Sequence, residues 1–416
     1  MIKVGVLPAM IEMGALPAQI EIGALPAPGT DATLRRMAKF TRRTLLAAGA
    51  CLAAGPARAL NNPTAPALAP PVIGAALPLS GELALAGDEC LRGVQLAAAA
   101  VSAYGGIGGA AVNLIAADEI SQSQAAAAVN ALIAGNHAAV VLSGGASALS
   151  YPSSAAAELA QVPFIELTAL ADGITARGFK FLLRTGPTAT MVAAMAAATI
   201  QKRYQNAKIG LLFNSGATGG AIAAAAIAAF KAQKTSPLLV IGYPEDVLDL
   251  NDPIGRLKRA GADILLHAAG PSDVLAAFAA MREQDWRPHG IVGCGDGYLL
   301  TDSAAVLGGA FDGVLAVGAP FYPPAAAAIE AAYTARYGMP PRGPDSLTAY
   351  VGARLVLDTL ARQQDSSRLL DALRRTNLPV GSLANGFGVA FARNGQNGGS
   401  FVTLQEWRGE RLEVVS

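Results

Sequence analysis

An α/β fold of two doubly wound parallel-sheet lobes is predicted for this chain by three observations. Strand, Gly/Ser loop, helix and strand follow one another at intervals of about 25 to 35 residues, the pattern of parallel sheets covered by helices. The alternation comes in two similar series, which suggests two lobes facing each other across a cleft. Each apolar run stops at a small-residue loop, the first at Pro78-Leu79-Ser80-Gly81. In sheets of this kind ligands sit at the carboxyl ends of the strands, where such loops lie.

In the first series, strands are expected over residues 72–77, 111–116, 139–142 and 163–165, with helices over 86–104, 123–134 and 150–160. Residues 179–184 form a further extended piece, and a long helix over 191–204 leads into the second series. There the strands are 209–213, 238–241, 264–267, 290–292 and 314–317, with helices over 219–231, 254–260, 274–282 and 325–337. Late helices over 347–362 and 367–374 precede two hairpin-like strands, 388–391 and 401–406, with Asn394-Gly395 as the turn signal between them.

The chain has 416 residues, enough for two cores. Net charge is +1 with Lys and Arg scattered, and no basic stripe with interleaved aromatics points to nucleic acid. The 52% hydrophobic content is inflated by alanine, which suits closely packed helices and lacks the bulk of a membrane span. The apolar segment 45–57 is too short to cross a bilayer. Of three cysteines, Cys51 lies in that segment, while Cys90 and Cys294 fall in different expected lobes, so no disulfide is expected. No C-x-x-C pattern is present.

The amino terminus reads as an address. Thr41-Arg42-Arg43-Thr44 precedes the apolar stretch 45–57, and Ala57-Arg58-Ala59 closes it, as in a cleavable export signal. The arginine pair resembles the twin-arginine type, with an ordinary secretory signal as the alternative. Ala48-Gly49-Ala50-Cys51 could be read as a lipoprotein box, although Ala48 stands where Leu is usual. Upstream, related Gly-to-Ala segments begin at Gly5, Gly14 and Gly23, too few and too Pro-broken for a solenoid. The expected organisation is an extension over 1–36 that is not translated if synthesis starts at Met37, an export signal over 37–59, and a Pro-rich tether over 60–71.

Catalytic constellations are missing from the sequence. His137, His267 and His289 are far apart and have no acidic companions at ligand spacing, so each reads as structural or surface and no metal is expected. There is no G-x-S-x-G elbow. Gly105-Gly106-Ile107-Gly108-Gly109 follows a helix and precedes a strand, the reverse of a phosphate loop, and reads as a tight turn. What remains is a set of polar loops after strands: Leu79-Ser80-Gly81, 143–147, Thr168-Ala169-Leu170, 214–218 and Cys294-Gly295-Asp296-Gly297. Hydroxyls and free N–H groups at helix starts suit a carboxylate, and an acidic group opposite suits an ammonium. Each loop alone is equally an ordinary cap or turn.

Ile73 to Gly81, followed by Gly87 and Arg92-Gly93-Val94-Gln95-Leu96-Ala97, resembles the opening of ABC-transporter substrate-binding proteins of the leucine/isoleucine/valine-binding family. Tyr104-Gly105-Gly106-Ile107, Asp118, Arg177-Gly178-Phe179-Lys180-Phe181, Arg184-Thr185, Ala260-Gly261-Ala262-Asp263, Tyr333 to Gly338, Ala349-Tyr350 and Asn394-Gly395 continue the likeness in order over residues 72–410. The resemblance implies the type I periplasmic-binding fold, with a three-strand hinge around a ligand cleft. It implies lobe 1 over 72–186 and 322–390, and lobe 2 over 187–321 and 391–416.

By that resemblance Ser147 holds a ligand carboxylate, Thr168 contacts ligand through its backbone, and Asp296 receives an α-ammonium. Ser80, Ala146 and Ala169 come with the same loops. Three departures bear on the ligand: Glu166-Leu167 replaces the family's Ser-Pro, Leu170 replaces a contacting threonine, and Thr218 stands where a tyrosine packs on the ligand. The expected ligand is therefore a small amino-acid-like molecule other than leucine itself, with a more apolar or bulkier acid, an amide or an aromatic compound as the alternative. The expected protein is a monomeric periplasmic binding protein, without cofactor or catalysis, that serves a membrane ABC permease. An exported sensing domain that reports occupancy to a receptor is the alternative.

Overall fold

The computed structural model describes residues 70–415 apart from 246 and 364. The expected extension, the export signal with Cys51, and the tether up to residue 69 lie outside the described residues.

The first series folds as β1 (Val72–Leu77), α1 (Ala84–Ala103), β2 (Asn113–Asp118), α2 (Gln122–Asn130), β3 (Ala138–Ser143), α3 (Ser147–Ala160), β4 (Phe164–Glu166), a single-turn α4 (Gly173–Ala176) and β5 (Leu182–Arg184). The second folds as α5 (Ala189–Arg203), β6 (Ile209–Asn214), α6 (Ala217–Ala232), β7 (Leu239–Tyr243), α7 (Asn251–Ala260), β8 (Ile264–Ala268), α8 (Pro271–Glu283), β9 (Gly290–Cys294), α9 (Thr301–Leu307) and β10 (Leu315–Gly318). The last part is α10 (Ala327–Tyr337), α11 (Asp345–Gln363), α12 (Leu369–Arg375), β11 (Asn377–Leu378), β12 (Val389–Ala390), β13 (Thr403–Arg408) and β14 (Arg411–Val414).

One sheet has the order β2-β1-β3-β4-β5 and is parallel throughout. The other has the order β14-β13-β10-β9-β8-β6-β7, parallel from β10 to β7 and antiparallel at β13 and β14. Interior strands are apolar because both faces are covered: every residue of β8 is buried, whereas edge strand β2 exposes Asn113 and Ala116. In the second sheet, small side chains let α5 and α6 lie close together, with Ala193, Ala196, Ala223 and Ala226 all buried. No described helix is long and apolar enough to cross a membrane.

Buried α11 follows β10 of the second sheet, yet it lies against α1 of the first. Gly93 permits this, since a Cβ there would stand 2.1 Å from the Ser346 carbonyl oxygen. α10 is tied to the same helix by Arg92, whose guanidinium lies 4.9 Å from the Tyr337 ring centre and 2.8 Å from Asp88. The crossings between the sheets are strapped together. Arg184 N–H donates to Gly395 O and Asn397 N–H donates to Arg184 O, both at 2.9 Å. Gln396 Nε2 donates to Gly186 O at 3.0 Å, and Gln405 Nε2 donates to Ala319 O at 3.2 Å.

Four differences from the sequence expectation matter. Residues 388–391 and 401–406 do not pair with each other: β12 pairs with β11, while β13 pairs with β10 and β14. Asn394-Gly395 instead closes a small local turn, with Gly395 N–H donating to Ala392 O. β14 was not expected, because only Leu412 of Arg411–Val414 is buried and the strand carries almost no apolar signal. Helix α3 starts at Ser147 and α6 at Ala217, each earlier than the apolar periodicity indicates, which turns two loop residues into helix N-termini.

Candidate functional site

The carboxyl ends of both sheets open onto one cleft. From the first sheet come the stretch after β1, with Glu82, Leu83, Leu85 and Ala86, and the loop after β3, with Gly145, Ala146 and Ser147. From the second come Asn214 after β6, Thr218 and Ile222 on α6, Glu245 after β7, Ala269 and Gly270 after β8, and Gly295 and Asp296 after β9. Four of the expected site residues therefore share the cleft: Ala146, Ser147, Thr218 and Asp296.

Ser147 opens α3, whose N-cap residue Ala146 offers no side-chain cap, so the first-turn N–H groups carry the positive end of the helix dipole toward the cleft. The Ser147 hydroxyl oxygen accepts the Ala171 N–H at 3.1 Å and the Thr218 hydroxyl at 2.9 Å. The second bond joins the two walls directly. Ser147 still has its own proton to donate, because a hydroxyl oxygen accepts twice and donates once.

Asp296 begins a short 3-10 turn behind Gly295. Gly295 has φ +91°, and a Cβ there would lie 2.7 Å from the Ala269 carbonyl oxygen, so only glycine lets β9 end beside the β8 loop. The half-buried Asp296 carboxylate accepts no hydrogen bond among the described residues, and burial pushes its pKa up to about 6. Asp345, at the start of α11, lies within Coulombic reach and is itself raised, first by its own burial and then by Asp296. An ammonium beside Asp296 would relieve both effects.

Thr168, Ala169, Leu170 and Ser80 do not line the cleft. Thr168 and Ala169 are corrected by Glu166, the residue that departs from Ser-Pro. Its Oε1 accepts the N–H groups of Thr168 at 3.1 Å and Ala169 at 2.9 Å, and Oε2 accepts the Ser150 hydroxyl. Those amides are thus satisfied by the protein's own buried carboxyl, whose pKa is raised by burial. The Thr168 hydroxyl accepts Gly145 N–H at 2.7 Å and meets the Cys90 thiol at 3.3 Å, which makes Thr168 a strut under the β3 loop. Leu170 packs against the apolar core beneath α5 and α6. Ser80 is exposed, since the chain runs on past it before the cleft wall begins at Glu82.

Glu82, Leu83, Leu85, Ile222 and Glu245 are cleft residues that the sequence reading missed. Glu245 follows a strand that ends two residues later than expected, and with β7 ending at Tyr243 its loop would have joined the others. The apolar part of the wall is aliphatic, and among the described residues the lining contains Glu82, Glu245 and Asp296 but no Lys, Arg or His.

The second-lobe loops are braced from behind. Asn214 Oδ1 accepts Gly216 N–H at 2.8 Å while its Nδ2 donates to Asp273, which also accepts Gly270 N–H at 2.8 Å. Deeper, His267 bridges Tyr243 at 2.7 Å and Tyr298 at 2.8 Å. Burial depresses the pKa of this histidine to about 3, so it is a neutral strut. Cys90 and Cys294 are separate buried thiols, and no described group of three or more His, Cys, Asp and Glu could hold a metal.

Comparison with known proteins gives the family and the fold. The family model for periplasmic binding protein matches residues 70–410. The Leu/Ile/Val-binding protein homolog 7 of Brucella abortus is 32% identical over 375 residues, covering 86% of this chain and 94% of the relative. Homolog 8 of the same organism is 31% identical, covering 84% and 91%. Among solved structures, the branched-chain amino acid transporter substrate-binding protein of Streptococcus pneumoniae, in complex with isoleucine, superposes with a TM-score of 0.74. The identity is 20%, with coverage of 83% of this chain and 99% of that one. A solute-binding protein from R. palustris in complex with 4-hydroxybenzoate gives a TM-score of 0.72 at 20% identity, covering 84% and 96%.

Proposed function

The chain belongs to the periplasmic-binding-protein family, a family of solute-binding proteins without catalytic activity, and from that premise we propose that it captures a small amino-acid-like ligand for an ABC importer. The observation that carries this reading is the placement of Ser147 and Asp296 on facing walls of one cleft. Ser147 and the uncapped start of α3 receive the carboxylate or carbonyl end of the ligand, and Asp296 receives its ammonium. Leu83, Leu85 and Ile222 take an aliphatic side chain. Thr168, Ala169 and Leu170 shape the first wall from behind.

A ligand that touches both walls binds the closed form better than the open one, so it shifts the population toward closure. The closed form is what the importer would recognise. The protein acts in the periplasm, delivered by the Arg42-Arg43 signal and released after Ala59. Thermal-shift screening of the protein from residue 60 onward, followed by calorimetry on the hits, tests the binding role. One ligand per chain, recovered chemically unchanged, is expected. Product formation that scales with protein concentration would refute it. Amino-terminal sequencing of the periplasmic form tests the processing site, and retention of Met37 would refute it.

A further inference from the structure

We propose that the cleft selects ligands of net positive charge, such as an amine, an amino-acid amide or a basic amino acid, over zwitterions and free carboxylic acids. The inference rests on the binding reading above and names the ligand class for the same site. The cleft lining carries three carboxylates, Glu82, Glu245 and Asp296, from both walls, and, among the described residues, no cationic side chain. Glu82 and Glu245 are exposed at the mouth, whereas Asp296 is half-buried within.

Two further carboxylates stand behind the walls. Asp345, at the start of α11, lies within Coulombic reach of Asp296. Asp273, 2% exposed beside the lining residues Gly270 and Pro271, lies within Coulombic reach of Glu82; its Oδ1 makes no hydrogen bond of good geometry, with the Tyr243 hydroxyl as its neighbouring donor. A buried carboxylate so incompletely satisfied favours any nearby positive charge.

The groups that would attract an anion have been withdrawn. Glu166 takes the Thr168 and Ala169 N–H groups. Asp273 takes Gly270 N–H at the start of α8, and the Glu245 carboxylate sits against Gly216, the residue before α6. What remains for an anion is the first turn of α3, the Ser147 proton and the uncapped first turn of α6, where the neighbouring Glu245 carboxylate would repel it. A ligand carboxylate would meet a like charge at one of its two helix starts, whereas an ammonium would meet carboxylates in both walls. The mouth charges also attract cations before contact, and attraction of exposed charges is screened within about 10 Å at 0.1 M salt.

The test is a matched panel: common amino acids, their amides, the corresponding decarboxylated amines, the corresponding deaminated acids, and lysine and arginine. Each is ranked by thermal shift, and hits are measured by calorimetry at 20 and 300 mM NaCl. The expected result is that amides, amines or basic amino acids bind at least about tenfold tighter than the matched neutral amino acid, with affinity falling as salt rises. The double variant Glu82→Gln, Glu245→Gln should bind the same cation more weakly and lose most of the salt dependence. Tighter binding of deaminated acids or of neutral amino acids overturns the charge inference and leaves the binding role standing. Binding by no member of the panel overturns both.

Discussion

Asp296→Asn removes the one charge that the binding geometry requires inside the cleft while keeping its size and hydrogen-bonding shape. The carboxylate is half-buried and has no protein hydrogen bond among the described residues, so an ammonium would be its principal partner. Separating a buried charge pair costs about 3 to 5 kcal/mol, and partial exposure places Asp296 near the lower end. The expected loss is therefore about 3 kcal/mol, or roughly a hundredfold in Kd. The pKa of about 6 adds a second signature. Its folded value lies above the ordinary aspartate value, so the charged form needed by an ammonium is lost as pH falls through 6. Only about a tenth of the carboxyl is ionised at pH 5, and wild-type affinity should fall about tenfold between pH 7.5 and 5. The variant should be weak and nearly flat with pH. Without ligand the sign reverses: a raised carboxyl pKa destabilises the fold as pH rises past about 4, so the variant should be no less stable than wild type at pH 7.5. Calorimetric titration at pH 5, 6 and 7.5, with chemical denaturation of the free proteins alongside, measures both. Undiminished affinity in the variant, or wild-type affinity indifferent to pH, would refute the role of Asp296 as counter-charge.

Three other outcomes are expected. Ser147→Ala should weaken binding by about 1 kcal/mol, since it removes one hydrogen bond to the carbonyl end of the ligand; full retention of affinity in calorimetry would show that the ligand is not held there. Glu119 is buried, bonded by the Ser153 hydroxyl, and pushed up to about 7 chiefly by burial, with Glu166 and Asp118 adding to the shift. Its folded pKa exceeds the unfolded value of 4.5, so its ionisation takes stability away as pH rises from about 4.5 to 7, by up to about 3 kcal/mol. Glu119→Gln should flatten that fall in urea melts at pH 5 and 8, and an unchanged slope would count against it. Gly93→Val should destabilise the fold by about 1 to 3 kcal/mol or more through overpacking of α1 on α11, and an unaltered thermal midpoint would show that the helices can separate freely.

Much of the fold was legible because its signals are local. Apolar strand runs such as Ile264 to Ala268 and the loops that end them appear in the sequence in the order that the sheets use them. Ser147, Ala146, Thr218 and Asp296 were legible as residues of the cleft for the same reason, since each lies in a loop or helix start within four residues of a strand that reads clearly. Glu82 and Glu245 were not, because nothing local separates a charge at a cleft mouth from a charge on any surface loop. That the Thr168 and Ala169 amides are already taken was not legible, because a backbone N–H carries no label in sequence. Only the fold shows that the Glu166 side chain turns back onto them.

Composition and periodicity by themselves determined the α/β class, the two series, and the loops from which a site could be made, since those properties depend on neighbours a few residues apart. Tertiary structure decided which loops meet. It carried α11 across from the second series to lie on Gly93, separated the expected hairpin into two sheets, and brought Ser147 within 2.9 Å of Thr218 across the cleft. It also decided the charge of the site. Carboxylates at 82, 245 and 296 are scattered along the chain, and they become one negative cleft only where two sheets present their strand ends to the same space. Electrostatic interaction follows distance through space, and a linear sequence does not contain that distance.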